Sequence, residues 1–230
     1  MGKTSLIDFV FDKENVQKDY FTISVDILHT TCFKEFIYTL GTAVYEKVAS
    51  KSDKMRRLFI TTLRSLSASF GYDPIQNTPT FDVKLGDITT PEYTIKEIFD
   101  FIEQADKRCL VVIDEFQQIT KYPEKNIEAI LRSYIQKLSN ANFVFAGSQR
   151  TILEEMFLSS RRPFFQSAKL IQLEAIALPI YQEFVIKHFY EGEKKIMPEA
   201  IEKVYAVFRG VTLYMQRIMK DAYAMTPKGV

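Results

Sequence analysis

Cysteine is nearly missing from this chain. Cys32 and Cys109 are its two cysteines, far apart and without C-x-x-C spacing, which argues against a zinc site and a disulfide framework alike. A reduced, cytoplasmic compartment is the resulting expectation. No uninterrupted apolar run approaches the roughly 18 residues of a membrane span, and the first residues lack the apolar stretch of a signal peptide. An excess of either charge is lacking too: 30 Lys and Arg stand against 29 Asp and Glu, for a formal net charge of +1. Bulk charge therefore gives no footprint for nucleic acid or an acidic membrane surface. Internal repeats and low-complexity segments are absent.

What is present is ordinary globular material, 230 residues of which 47% are hydrophobic and 26% charged, enough for one α/β domain with a small appendage. Helical periodicity predicts a first helix from Lys3 to about Val10, with Leu6, Ile7, Phe9 and Val10 on its apolar face. Asp19 to Asp26 alternates and is β-branched, the pattern of a strand ending in a carboxylate. Helices are expected at Cys32–Ala49 and Lys54–Phe70, a loop through the proline-bearing stretch Asp73–Pro79, and a short strand at Phe81–Leu85. A helix at Tyr93–Gln104 leads into the apolar run 109–113, bounded by charge at both ends as a buried parallel strand should be. A helix at Glu124–Leu138 and strands at Asn142–Ser148 and Lys169–Leu173 continue the alternation, which predicts a doubly wound sheet. Beyond Ala177 the pattern is helical alone, with segments Ile180–Tyr190, Pro198–Phe208 and Thr212–Ala224 separated at Gly192 and Gly210.

Two short motifs carry chemistry. Gly2-Lys3-Thr4-Ser5 matches the end of the phosphate-binding pattern G-x-x-x-x-G-K-[ST], whose front half is not in the sequence. Downstream, Leu110-Val111-Val112-Ile113-Asp114-Glu115 is an apolar strand closed by two carboxylates. Asp114, held at the carboxyl edge of a sheet, suits a Mg²⁺ ion reached through water, and Glu115 is then placed to orient or activate an attacking water. Lys3 would neutralise the β and γ phosphates and the Thr4 hydroxyl would ligate the metal. The other reading is that Asp114 and Glu115 cap the following helix. Lone His29 and His188 suit structural roles better than ligation. Asp26 suits a turn better than a magnesium shell, and Tyr214 and Met215 suit a helix core better than an adenine contact. The 19 Phe and 12 Tyr suit core packing better than base stacking.

On these residues the chain resembles the archaeal-type ATPases of the P-loop superfamily, in the division that includes the AAA+ and signal-transducing NTPases. G-K-T-S-L-I at the start, L-V-V-I-D-E-F-Q at 110–117 and F-V-F-A-G-S-Q at 143–149 carry the resemblance, with weaker support from K-L-I-Q-L at 169–173 and G-V-T-L-Y-M-Q at 210–216. It implies an α/β P-loop NTPase fold with a parallel sheet in the order 5-1-4-3-2, its strand 1 missing because that strand would precede Met1, and a small C-terminal helical lid. The expected division is a core over residues 1–176 and a lid over 177–230. The resemblance also places Ser148 and Gln149 where a polar sensor reads the γ-phosphate or the attacking water; an ordinary strand-end turn is the other reading. Arg150, Arg161 and Arg162 are candidates for an arginine finger, although Pro163-Phe164-Phe165-Gln166-Ser167 departs from the family's Gly-Arg in this region.

The expected function is thus a switch ATPase, with Gly2, Lys3, Thr4 and Ser5 holding ATP, Thr4 and Asp114 holding Mg²⁺, and Glu115, Ser148 and Gln149 acting on the γ-phosphate. Nucleotide state would be relayed to an unidentified protein partner, with homo-oligomers open, nucleic acid unsupported by charge and no membrane. Without the glycine-rich front half, Lys3 would act as a point charge on a frayed helix start, so Met1 is expected to be internal to a longer ATPase. The alternative is a truncated or degenerate P-loop domain serving as a non-catalytic interaction module.

Overall fold

The structure is a computed structural model and describes residues 2–73, 78–81 and 84–229. In chain order the helices are α1 (Lys3–Phe11), α2 (Glu14–Asp19), α3 (Phe33–Lys47), α4 (Asp53–Thr62), α5 (Pro91–Glu103), α6 (Ile127–Ile135), α7 (Arg150–Leu158), α8 (Leu178–Glu191), α9 (Pro198–Phe208) and α10 (Thr212–Met225). The strands are β1 (Tyr20–Asp26), β2 (Phe70–Asp73), β3 (Thr78–Phe81), β4 (Arg108–Asp114) and β5 (Ala141–Phe145). The chain divides into two compact units, Ile7–Lys169 and a second made of Met1–Leu6 with Leu170–Val230.

In the larger unit β1, β4 and β5 form a parallel sheet in the order β1-β4-β5. Parallel neighbours need helical crossovers, and α3 to α5 supply one while α6 supplies the next. The inward-facing residues Ile23, Val25, Val111 and Ile113 are buried with Phe36, Ile37 and Leu40 of α3 and Ile95, Ile98 and Ile102 of α5 in one apolar core. On the opposite side of the pleat Ser24, Asn142 and Val144 are exposed. The register sets Asp26 beside Asp114, so both strands end at the same level.

Local sequence accounts for several boundaries. Ser52 caps α4 by accepting the Met55 N–H at 3.1 Å. The helix expected over Lys54–Phe70 stops at Thr62 because buried Glu97 of α5 takes the N–H groups of Arg64 and Ser65 at 3.1 and 3.0 Å. A 3₁₀ segment follows at Arg64–Ser69. The loop expected over Asp73–Pro79 instead carries the ends of an antiparallel pair, β2 with β3. Pro74–Asn77, within that expected loop, and Asp82 and Val83, within the expected strand Phe81–Leu85, lie outside the described residues; Leu85 itself opens a 3₁₀ turn.

The strand expected at Lys169–Leu173 does not form. The segment 168–177 has no regular structure, and Leu170, Ile171 and Leu173 are 41, 74 and 50% exposed. Its alternation suits a strand, but a strand exists only within a ladder, and 169–173 joins neither sheet of the described residues.

The smaller unit packs α8, α9 and α10 around Tyr181, Val185, Phe189, Ile201, Met215 and Met219. Pro198 opens α9, where a missing N–H costs nothing. Arg209 and Gly210 close it in the left-handed region at φ 47° and 76°; a Cβ on Gly210 would lie 2.6 Å from Ala175 Cβ, so glycine meets both the backbone and the space. α1 contributes no buried residue.

Candidate functional site

The carboxyl edge of the parallel sheet gathers the acidic residues. β4 delivers Asp114 to the end of a buried run, 9% exposed, while β1 delivers Asp26 beside it. The two carboxylates are used differently. Asp26 Oδ1 accepts the Leu28 N–H at 2.9 Å, closing its own turn. Asp114 Oδ1 accepts the N–H of Glu115 at 2.9 Å, which fixes the carboxylate at the strand end.

Glu115 then turns the chain in the left-handed region, at φ 55° and ψ 37°. That conformation is uncommon for a residue with a Cβ and is held by its surroundings. The surroundings are explicit: Ile27 N–H donates to Asp114 O at 3.2 Å, Phe116 N–H to Ala146 O at 2.9 Å and Ala146 N–H to Ile113 O at 3.0 Å. The Phe116 ring anchors the turn from below, with centroids 4.4 Å from Phe145 and 5.4 Å from Phe164.

Three donors converge on one oxygen of the Glu115 carboxylate. Oε2 accepts from Gln117 Nε2 at 2.5 Å, from Ser148 Oγ at 2.8 Å and from Ser148 N–H at 3.4 Å. Ser148 is exposed, whereas Gln117 is wholly buried. The other amide atom of Gln117, Oε1, is buried without a hydrogen-bond partner, a state that costs about 1–3 kcal/mol.

The structure thus brings Asp114, Glu115 and Ser148 together at one edge of the sheet, from the ends of two neighbouring strands. Gly2, Lys3, Thr4 and Ser5 stand at the start of α1, in the smaller unit, with Gly2 at φ 101° and its carbonyl accepting the Leu6 N–H at 2.9 Å. Gln149 precedes α7 without capping it through its side chain. The arginines separate by use. Arg150 pairs with Glu154 at 2.7 Å, and Arg162 pairs with Glu128 at 2.7 Å, where burial pushes the Glu128 carboxyl up. Arg161 is exposed.

Gln117 is the residue that sequence reasoning missed. Its signal lay inside the motif D-E-F-Q, but the side chain's burial beside Gly147, 30 residues on, is not something local pattern reveals. Among the described residues no three or more His, Cys, Asp and Glu side chains gather into a metal cage. Mg²⁺ does not require one: it is usually held by one or two carboxylates with waters and phosphate oxygens, and Asp114 at its strand end is a carboxylate of that kind. Cys109 is no nucleophile, since burial pushes its thiol up to about 12. A cavity of about 400 Å³ in the smaller unit is lined by residues including Tyr181, Phe184, Phe189 and Tyr223; Lys3, Thr4, Asp114 and Glu115 do not line it.

No family model matches the chain, and no curated protein matches it. Solved structures do match by fold. One is the Walker-type ATPase PABY2304 of Pyrococcus abyssi, with a TM-score of 0.52 at 15% identity, covering 83% of this chain and 52% of that one. Another is the ORC2 protein of Aeropyrum pernix in its ADPNP–ADP complexes, with a TM-score of 0.50 at 14% identity, covering 80% of this chain and 41% of that one. The chain therefore spans about half the length of these structures. The likeness is one of fold: an α/β architecture with a parallel sheet and a helical part, as in these ATPase-type structures.

Proposed function

We propose that this chain belongs to a Mg²⁺-dependent switch ATPase that binds ATP and converts it to ADP and phosphate, coupling nucleotide state to a protein partner through its helical unit. The observation that carries the reading is the convergence of Asp114, Glu115 and Ser148 at the carboxyl edge of a parallel sheet, where open α/β sheets bind ligands. The nucleotide complexes of the matched ORC2 structure are consistent with a site for ATP on this fold. In this reading Lys3 and Thr4, with Gly2 and Ser5, bind the phosphates. Thr4 and Asp114 hold Mg²⁺, which would supply charge neutralisation on the phosphoryl oxygens. Glu115 accepts the proton of the attacking water or orients it, and Ser148 exchanges its bond to Glu115 for one to the γ-phosphate. Gln149 stands next to it at the same loop.

Partner coupling, homo-oligomers and a cytoplasmic setting remain parts of this proposal. Nucleic acid gains no support from a net charge of +1. A second reading, the non-catalytic interaction module, is favoured by the fact that α1, which carries Lys3 and Thr4, buries none of its residues; a helix start outside any apolar core is a less preorganised phosphate site.

Calorimetric titration with ATP and Mg²⁺ separates the two. The switch ATPase predicts binding that Lys3→Ala abolishes and that Glu115→Gln retains while hydrolysis falls by about 100-fold or more. A folded wild-type chain that takes up no ATP would overturn the switch ATPase for this chain and leave the interaction module as the standing reading.

A further inference from the structure

Gln117 has no part in the reading above, yet it is wholly buried and its two amide atoms are unequally used. Nε2 donates to Glu115 Oε2 at 2.5 Å, while Oε1 is buried without a donor. The orientation is not interchangeable. Rotating the amide would set its oxygen against a carboxylate oxygen, so the electrostatics require Nε2 toward Glu115 and send Oε1 toward the neighbouring strand end. There it meets Gly147: a Cβ at that position would lie 2.0 Å from Gln117 Oε1, 3.1 Å from Gln117 Cδ and 2.7 Å from Leu153 Cδ1. A side chain at position 147 would require this amide to leave its place.

We propose that Gln117 is a positioning residue for the Glu115 carboxylate and that Gly147 exists to make room for it. Of the donors on Oε2, the Ser148 hydroxyl is exposed and in competition with water, and it is the one that a phosphate would take. The Gln117 amide is sealed from water and charge-assisted, so it is the fixed arm. A left-handed backbone at Glu115 leaves the side-chain direction to be set by contacts of this kind. When Ser148 turns away, Gln117 keeps the carboxylate aimed. The consequence for hydrolysis rests on the ATPase reading; the positioning itself rests on geometry alone.

The test uses the full chain and two independent readouts. Nitrogen-edited NMR of the Gln117 side-chain amide is expected to show one Nε2 proton shifted well downfield in the wild type and returned to the ordinary amide range in Glu115→Ala. An amide pair that Glu115→Ala leaves unchanged overturns the proposal, whether or not the chain hydrolyses ATP. In steady-state kinetics Gln117→Leu keeps the volume and burial but has no donor; it is expected to lower kcat about 100-fold with KM within about twofold, the signature of a misplaced group rather than lost binding. Gly147→Ala, which displaces the amide without removing it, is expected to reproduce that split and serves if Gln117→Leu does not fold. A folded variant with wild-type kcat overturns the proposal. A wild-type chain that neither binds nor hydrolyses ATP removes the ATPase reading and leaves the amide resonance to decide whether Gln117 positions Glu115.

Discussion

Single residues at the sheet edge carry costs that only their partners offset. Thr30 and Tyr122 show the favourable side of this arithmetic. Both are buried, their hydroxyls lie 2.5 Å apart, and Thr30 Oγ1 also bonds Ile27 O. Burial pushes the Tyr122 hydroxyl up to about 12, so it stays protonated. The pair ties the loop after β1 to the loop after β4, the two segments that flank Asp26 and Glu115. Tyr122→Phe should therefore lower stability by about 1 kcal/mol, because Thr30 keeps its bond to Ile27 and no group is left wholly unsatisfied. Urea denaturation with an unchanged slope checks it. Glu115 shows the opposite side: its left-handed backbone is a local expense, and expenses of this kind concentrate where function requires an aimed group.

Elements show which parts of the fold can be read from pattern. β4 is legible because an apolar run bounded by charge at both ends can hardly be anything other than a central strand, and its terminal Asp114-Glu115 pair follows from the same run. The start of α4 is legible from Ser52, whose capping partner lies three residues on. The end of α4 is not, because Glu97 intervenes from 33 residues away. Gln117 and Gly147 belong with that second group: each looks ordinary until the other is set beside it. The start of β5 is another long-range construction. Glu103 at the end of α5 accepts from the Ser139 hydroxyl, from Ser139 N–H at 2.9 Å and from Asn140 N–H at 3.0 Å. These bonds, the Ser139 hydroxyl first, hold the Glu103 carboxyl below its ordinary value. A depressed carboxyl contributes stability above its unfolded value and loses it as the pH falls through the folded value. Glu103→Gln should accordingly melt below the wild type at about pH 7, by less than about 1 kcal/mol given the solvent exposure. The gap should close as the pH drops beneath the ordinary carboxylate range. Melts that stay equally separated in acid would show that the charge is not what anchors the turn.

At the scale of the whole molecule, the chain has two cores of unequal size. The larger unit buries a continuous apolar cluster from Ile23 to Phe164, whereas the smaller closes around Tyr181, Val185, Phe189, Ile201, Met215 and Met219. The segment 168–177 has no regular structure and exposes Leu170, Ile171 and Leu173. Its composition reads as strand, and this shows where sequence reading ends: alternation gives a strand's faces, but only a neighbour supplies its ladder. An exposed stretch without regular structure fits a protease's active site with little local unfolding. Brief treatment with trypsin or chymotrypsin should therefore cut first within 168–177, at Lys169 or after one of the exposed leucines, ahead of the helices on either side. The product beginning near Leu170 should retain helical circular dichroism if the six-residue core of α8, α9 and α10 suffices for it. Mass spectrometry of the first fragments decides the matter. Early cuts spread through α3 or α5 would mean that the larger core opens before the connection does. A segment resistant to both enzymes would mean that these leucines and Ile171 are covered in solution, as a paired strand would be.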